Sequence, residues 1–163
     1  MAQKHPAGPG PVEREPLSES VSHTVEEARM LIPGVTAFLG FQLVAVFNNA
    51  FSQKLSHDEQ LLHVAAMFLM LVALLMLLTP AAYHRQAESG WVSQGFVNLS
   101  SRLITGATPL FALGMTIDFY LLVRAVNEDT SVAVALALAI LAVTLVLWYA
   151  IPHVEPLARI LRG

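Results

Sequence analysis

Four stretches of the chain are almost entirely apolar, and polar or charged residues bound each of them. They read MLIPGVTAFLGFQLVAVF (30–47), LLHVAAMFLMLVALLMLL (61–78), LITGATPLFALGMTIDFYLLV (103–123) and VAVALALAILAVTLVLWYAI (132–151). Crossing the hydrocarbon core of a bilayer takes about 20 such residues. Buried strands are much shorter, at about 4–8 residues. The run VAVALALA mimics a strand locally, but uninterrupted length and the helix-forming Ala and Leu decide for helix. In lipid every peptide N–H and C=O must bond within its own segment, which again demands helices. A water-soluble bundle would need a polar face on each helix, and the second and fourth runs have almost none. The pattern therefore predicts an all-α, integral membrane four-helix bundle, with helices at about 30–50, 61–80, 102–125 and 131–151. These form one domain over 25–155, between a disordered tail at 1–24 and a short tail at 156–163.

Composition sharpens this picture. Of 163 residues, 55% are hydrophobic and 13% charged, with a mean hydropathy of +0.60. Ordinary soluble domains are about 45–50% apolar and about 25% charged. The formal net charge of −3 gives no basic surface for nucleic acid. Cysteine is absent, which excludes disulfides, thiolate metal sites and thiol nucleophiles. The histidines His5, His23, His57, His63, His84 and His153 include no pair one helical turn apart, so no metal site is expected. There is no phosphate-binding glycine loop and no nucleophile elbow. No cofactor and no enzymatic activity are expected. The lipid bilayer is the partner that composition implies.

The basic residues predict the threading. Lys4, Arg14, Arg29, Arg85, Arg102, Arg159 and Arg162 fall on one side of the four spans, and Lys54 and Arg124 on the other. Positive charge is retained in the cytoplasm, so both termini are expected there. Tyr83, Trp91, Trp148 and Tyr149 lie near the same interface, where amphipathic rings settle. The polar, proline-rich residues 1–25 have no apolar core of the signal-peptide kind.

Local signals predict helix details. Thr24 with Glu27 fits a capping box. Pro33 should bend the first helix or begin its spanning part. Pro109 should kink the third and free the carbonyl of Thr105, which Thr108 or a neighbouring helix must satisfy. Pro80 and Pro152 are expected to end the second and fourth. The loop at about 84–101 is too polar to form a core. Small residues mark close helix contacts in membranes. Candidates are Gly34, Ala37 and Gly40; Gly106 and Gly114; and Ser131, Ala135 and Ala139.

Two polar clusters are candidate sites. Asp118 interrupts the third run at about 24 Å along the helix from Arg102. A carboxylate facing lipid costs roughly 2.5–3.5 kcal/mol at a helix centre, so Asp118 should face the bundle, pair with a donor or carry a proton. Partners at similar depth are His63, Asn48, Asn49 and Gln42. Together they form either a proton- or cation-binding site or a structural hydrogen-bond anchor. Arg124 lies too far around the helix to stack on Asp118 and should reach Asp58, Glu59, Glu128 or Asp129. The second cluster faces the cytoplasm: Glu26, Glu27 and Arg29 with His84 and Arg85, which His153 and Glu155 could join. It reads either as anchored helix ends or as a site for a lipid head group or a proton.

The stretches EEARMLIPGVTAFLGFQLVAVF (26–47) and LLTPAAYHRQ (77–86) resemble a family of small bacterial membrane proteins of unknown function. The matching positions are Glu27, Arg29, Leu31, Pro33 and Gly34, then Pro80, Ala81, His84 and Arg85, and the similarity covers residue 25 to about 150. Some relatives carry an automatic sodium:proton antiporter label. The resemblance implies a bacterial inner-membrane protein and draws interest to the inner cluster. Two functions are compatible with these readings. One is a non-enzymatic protein acting through helix association or partner proteins. The other is a proton- or cation-coupled transporter or channel subunit, which at four helices would need a homo-oligomer to enclose a path.

Overall fold

The computed structural model describes residues 17–87, 93–127 and 129–153, and all regular structure among them is helical. Helix α1 is Leu17–Val46, α2 Asn49–Lys54, α3 His57–Ala87, α4 Gln94–Val126 and α5 Thr130–Leu145. A single π turn, Val146–Ala150, continues α5 into a last short helix, α6, Ile151–His153. Four segments are long and apolar enough to cross a membrane: Val25–Val46, His57–Gln86, Gln94–Val126 and Thr130–Ala150. Their outward faces are apolar too, with Phe41 75% and Phe47 85% exposed. Scattered exposed apolar residues are ordinary, but continuous apolar faces signify contact with something other than water.

The four long helices run up, down, up and down. We call the end holding α2 and the α4–α5 turn distal, and the end where the described chain starts and stops proximal. Helices α3 and α4 form the most extensive seam, and α1 packs across both. Helix α5 packs on α4 alone: among the described residues, no Cα of α5 lies within 8 Å of α1 or α3. The architecture is a three-helix core with a fourth helix applied to one side.

Small residues explain the α3–α4 seam. A Cβ at Gly114 would stand 3.1 Å from Met70 Cγ and 3.3 Å from the Ala66 carbonyl oxygen. Ala66 and Met70 are themselves fully buried. Gly106 faces the end of the Met76 side chain. The expected small-residue contact therefore exists on α4. A Cβ at Gly34 or Gly40 on α1 would meet nothing within 4 Å, and Ser131, Ala135 and Ala139 on α5 are exposed, so neither stripe is buried against another helix among the described residues. Proximally, Ala28 and Val35 of α1, Ala73 and Leu77 of α3, and Ile104 and Ala107 of α4 form a buried cluster.

Several expected boundaries move. Helix α1 begins at Leu17, so residues 17–24, assigned to the disordered tail, are helical and Thr24 lies inside a helix instead of capping one. It runs unbroken through Pro33. Pro80 does not end α3, which continues to Ala87 with Pro80 buried. Neighbouring helices let long apolar helices tolerate proline. Helix α4 starts at Gln94, ahead of the expected 102, because Ser93 caps it by accepting from the Phe96 N–H at 3.1 Å. Phe96, Ser100, Ile104 and Ala107 then form one buried stripe at helical spacing. Most of the expected 84–101 loop is therefore helix. Pro152 lies within α6, and where that helix stops lies outside the described residues, as do the tails at 1–16 and 154–163.

At Pro109 the freed carbonyl of Thr105 is satisfied as expected, within a helix α4 that continues from Gln94 to Val126. Thr108 Oγ1 donates to the Thr105 carbonyl at 2.9 Å, and the Tyr149 hydroxyl stands 3.0 Å from Thr108 Oγ1. With the threonine proton already committed, the tyrosine O–H is the donor, and this bond ties the π turn to α4.

The seam makes a graded prediction. Gly106→Ala should leave the melting temperature in detergent nearly unchanged, because the Met76 terminus can swing aside. Gly114→Ala should lower it, by an overpacking cost of about 1–3 kcal/mol, because backbone opposes the new methyl. Thermal unfolding of both variants followed by circular dichroism checks the order.

Candidate functional site

The distal half of the bundle brings α1, α3 and α4 together around Asp118. Its carboxylate turns inward, with the side chain 17% exposed. Gln42, buried on α1, donates its amide N–H to Asp118 Oδ2. His63, buried on α3, places Nδ1 3.2 Å from Asp118 Oδ1. The other ring nitrogen, Nε2, stands 3.1 Å from the backbone carbonyl oxygen of Gln42.

This geometry fixes one proton. A carbonyl oxygen can only accept, so Nε2 carries a hydrogen. Nδ1 then faces a carboxylate oxygen, and two lone pairs would repel at that distance. A proton between them would turn this contact into an ion pair or a hydrogen bond. Asp118 Oδ1 and Gln42 Oε1 are both buried; the first meets the His63 ring, and the second has no hydrogen-bond partner among the described residues.

The trio lines a cleft of about 630 Å³ whose other walls, apart from Asn48, are apolar and include the rings of Phe38, Phe41, Phe51 and Phe119. Phe51 sits on α2, and its ring meets that of His63 edge-on with centroids 5.0 Å apart. Helix α2 therefore covers the imidazole. A second cavity of about 380 Å³ lies proximally, lined by Val35, Thr108 and Trp148 among others. Between the two stand Phe38, edge-on to Phe111 at 5.6 Å, and Phe111, stacked on Trp148 at 6.2 Å.

Of the expected distal residues, Asp118, His63 and Gln42 converge. Asn48 lines the cleft, but its side chain caps α2 by accepting from the Ala50 N–H at 2.9 Å. Asn49 does not join: it is exposed in the first turn of α2. The reason is that α1 ends at Val46, so the chain has already turned at 47–48 before the asparagines can point inward.

The proximal cluster does not assemble. Glu26, Glu27, Arg29 and Arg85 are exposed, and among the described residues no ion pair joins them to one another or to His84. The His84 ring instead packs 5.4 Å from Phe96, with Nδ1 buried. The side chain of His153, and Glu155, lie outside the described residues.

Arg124 finds one of its expected partners. Its Nε donates to Glu59 Oε1 at 2.7 Å, both side chains being largely buried. Glu59 Oε2 also accepts from the N–H and the hydroxyl of Ser56 at 2.9 and 3.0 Å, while Ser56 Oγ accepts from the Glu59 N–H at 3.3 Å. This reciprocal capping box opens α3. The pattern Ser56-x-x-Glu59 was there to be found, but it reads equally as an acidic loop.

Together these features define an all-helical protein with four helices capable of crossing a membrane and an ionisable pair buried toward one end. The chain belongs to the family described as a family of unknown function (DUF6328), which matches residues 13–152. That agrees with the uncharacterised family its helix-end motifs resemble. No curated protein and no solved structure matches it.

Ser56→Ala should destabilise the protein by about 1 kcal/mol, the usual worth of an N-cap. Glu59→Ala should cost more, because it also removes the carboxylate that pairs with Arg124. Adding Arg124→Ala to Glu59→Ala should cost little further, the mark of a coupled pair. Melting curves of the two single variants and the double variant in detergent test this.

Proposed function

We propose that this is a non-enzymatic, multi-pass protein of a bacterial inner membrane, with both termini cytoplasmic, whose working part is a proton- and cation-exchange site in the outer half of the bundle. The observation that carries the reading is the committed Nε2 of His63 with Nδ1 held 3.2 Å from Asp118. Such a pair holds one proton that a cation at the carboxylate would displace. Ionisable groups inside a membrane are expensive and mark ion or substrate sites. The cleft beside the pair gives a ligand access to it. The distribution of Lys and Arg supports the orientation.

Within one chain the aromatic group Phe38, Phe111 and Trp148 separates this site from the proximal cavity. Transport would therefore require these rings to part. A second reading, function through self-association, is favoured by the open faces at Gly34 and Gly40 on α1, which would let another helix approach closely. The two are compatible, because a homo-oligomer would shield the side of the cleft.

Proteoliposomes with a pH-sensitive dye inside decide the exchange reading. An imposed cation gradient should drive proton movement with the wild-type protein. Asp118→Asn should reduce it to the background of empty vesicles, and Glu27→Gln, at the exposed proximal end, should leave it intact. Absence of proton movement in every cation gradient would exclude transport.

A further inference from the structure

We infer that the distal cleft binds a hydrophobic organic ammonium ion, an apolar body carrying at least one N–H⁺ group, in exchange for the proton on His63 and Asp118. This rests on the exchange site proposed above and names its ligand class.

Three features point to this chemistry. First, Asp118 lines the cleft with its side chain 17% exposed, and the Gln42 side chain beside it keeps a buried oxygen, Oε1, with no donor among the described residues. Gln42 is 4% exposed, so its free oxygen is an orphan of a kind that is costly to leave unpaired. An ammonium brings several donors and no acceptor, and so suits a carboxylate beside an unanswered amide oxygen. Second, the walls are apolar and include four phenylalanine rings. Aromatic faces attract cations as well as apolar bodies, and a cleft of about 630 Å³ falls in the range of small-molecule sites, about 300–1,000 Å³. A small hydrated metal ion would leave most of this apolar volume unfilled. Third, Asp118 lies about 12 Å along the axis from the distal end of α4 at Val126. An amine on a lipid head group sits at the membrane surface, so the depth favours a free organic amine.

Charge is conserved in the exchange. With imidazolium and carboxylate the dyad is neutral. When the ammonium docks on the carboxylate, the His63 proton leaves to water and the ammonium takes the place of the imidazolium as the donor beside the carboxylate, so one cation replaces one proton. The charged and titratable groups on the surrounding elements are few. Glu59 on α3 and Arg124 on α4 neutralise each other. Tyr120 lies on α4, exposed Lys54 on α2, and exposed His57 and Asp58 at the start of α3. Neither α1 beyond Pro33 nor α5 carries any.

The test is calorimetric titration of the full-length protein in phosphatidylcholine nanodiscs, against empty discs, with octylammonium, octyltrimethylammonium, octanol and sodium chloride. Octylammonium should bind, release one proton and bind about tenfold tighter per pH unit while the dyad holds its proton. The quaternary ion, which has no N–H, should bind more weakly, and octanol should not bind. Asp118→Asn should abolish binding. Gln42→Met, which removes one orphan oxygen at similar volume, should narrow the preference for the primary over the quaternary ion, and this readout stands even if Asp118→Asn fails to fold. Equal binding of octanol, or no preference between the two ammonium ions, overturns the inference. So does blockade by phosphatidylethanolamine included in the disc, which would show a lipid amine as occupant. Proton release by sodium without octylammonium binding overturns the inference and leaves the exchange site standing. Proton release by no cation at all overturns both.

Discussion

Among apolar helices a carboxylate needs partners, and the distal half of this bundle is arranged around that need. Left against hydrocarbon, Asp118 would cost a few kcal/mol. Turned inward, it collects the Gln42 amide from α1 and the His63 ring from α3. These two contacts join three helices at one level of the bundle. They also restrict what can surround the acid, because each partner spends its geometry on it. His63 must give its second nitrogen to the Gln42 backbone. The Gln42 side chain, having donated, is left with an oxygen that nothing in the chain answers.

The two ends of the core are built on different principles. Proximally, alanines and aliphatic side chains pack into a buried cluster without charge pairing. Distally, polar pairing replaces that packing: the Asp118 trio lies beneath the Glu59–Arg124 pair, with α2 covering the imidazole. A local exchange of dense packing for hydrogen bonds leaves space, and the larger cavity is at this end. Gly114 keeps α3 and α4 in register between these regions. Its missing side chain brings the Ala66 backbone close, and Met70 fills the level between.

The four helices were legible because hydropathy over about 20 residues is a strong signal that local detail does not disturb. The inward turn of Asp118 and its two main partners were legible for the same reason, since depth along a helix follows from counting residues. The proximal cluster was misread. Glu26, Glu27, Arg29 and Arg85 share an end of the bundle, but the same end is not the same face, and facing depends on helix rotation that composition does not encode. Asn49 failed through a boundary: ending α1 a few residues earlier redirects every side chain after it. Pro80 misled because proline is a dependable stop only where water would otherwise satisfy the freed carbonyl. The Phe38–Phe111–Trp148 stack joins three helices at long sequence separation, and no local pattern announces such a contact.

The attachment of α5 to α4 alone has a mechanical meaning. Its two anchors along the proximal half, the Tyr149–Thr108 bond and the Trp148–Phe111 stack, both grip α4 within two residues of Pro109. Any bending at that proline would be passed through these two contacts to the π turn that follows α5. The α3–α4 seam at Gly114 need not open, and the distance between α5 and α1 becomes the coordinate that the bending tunes.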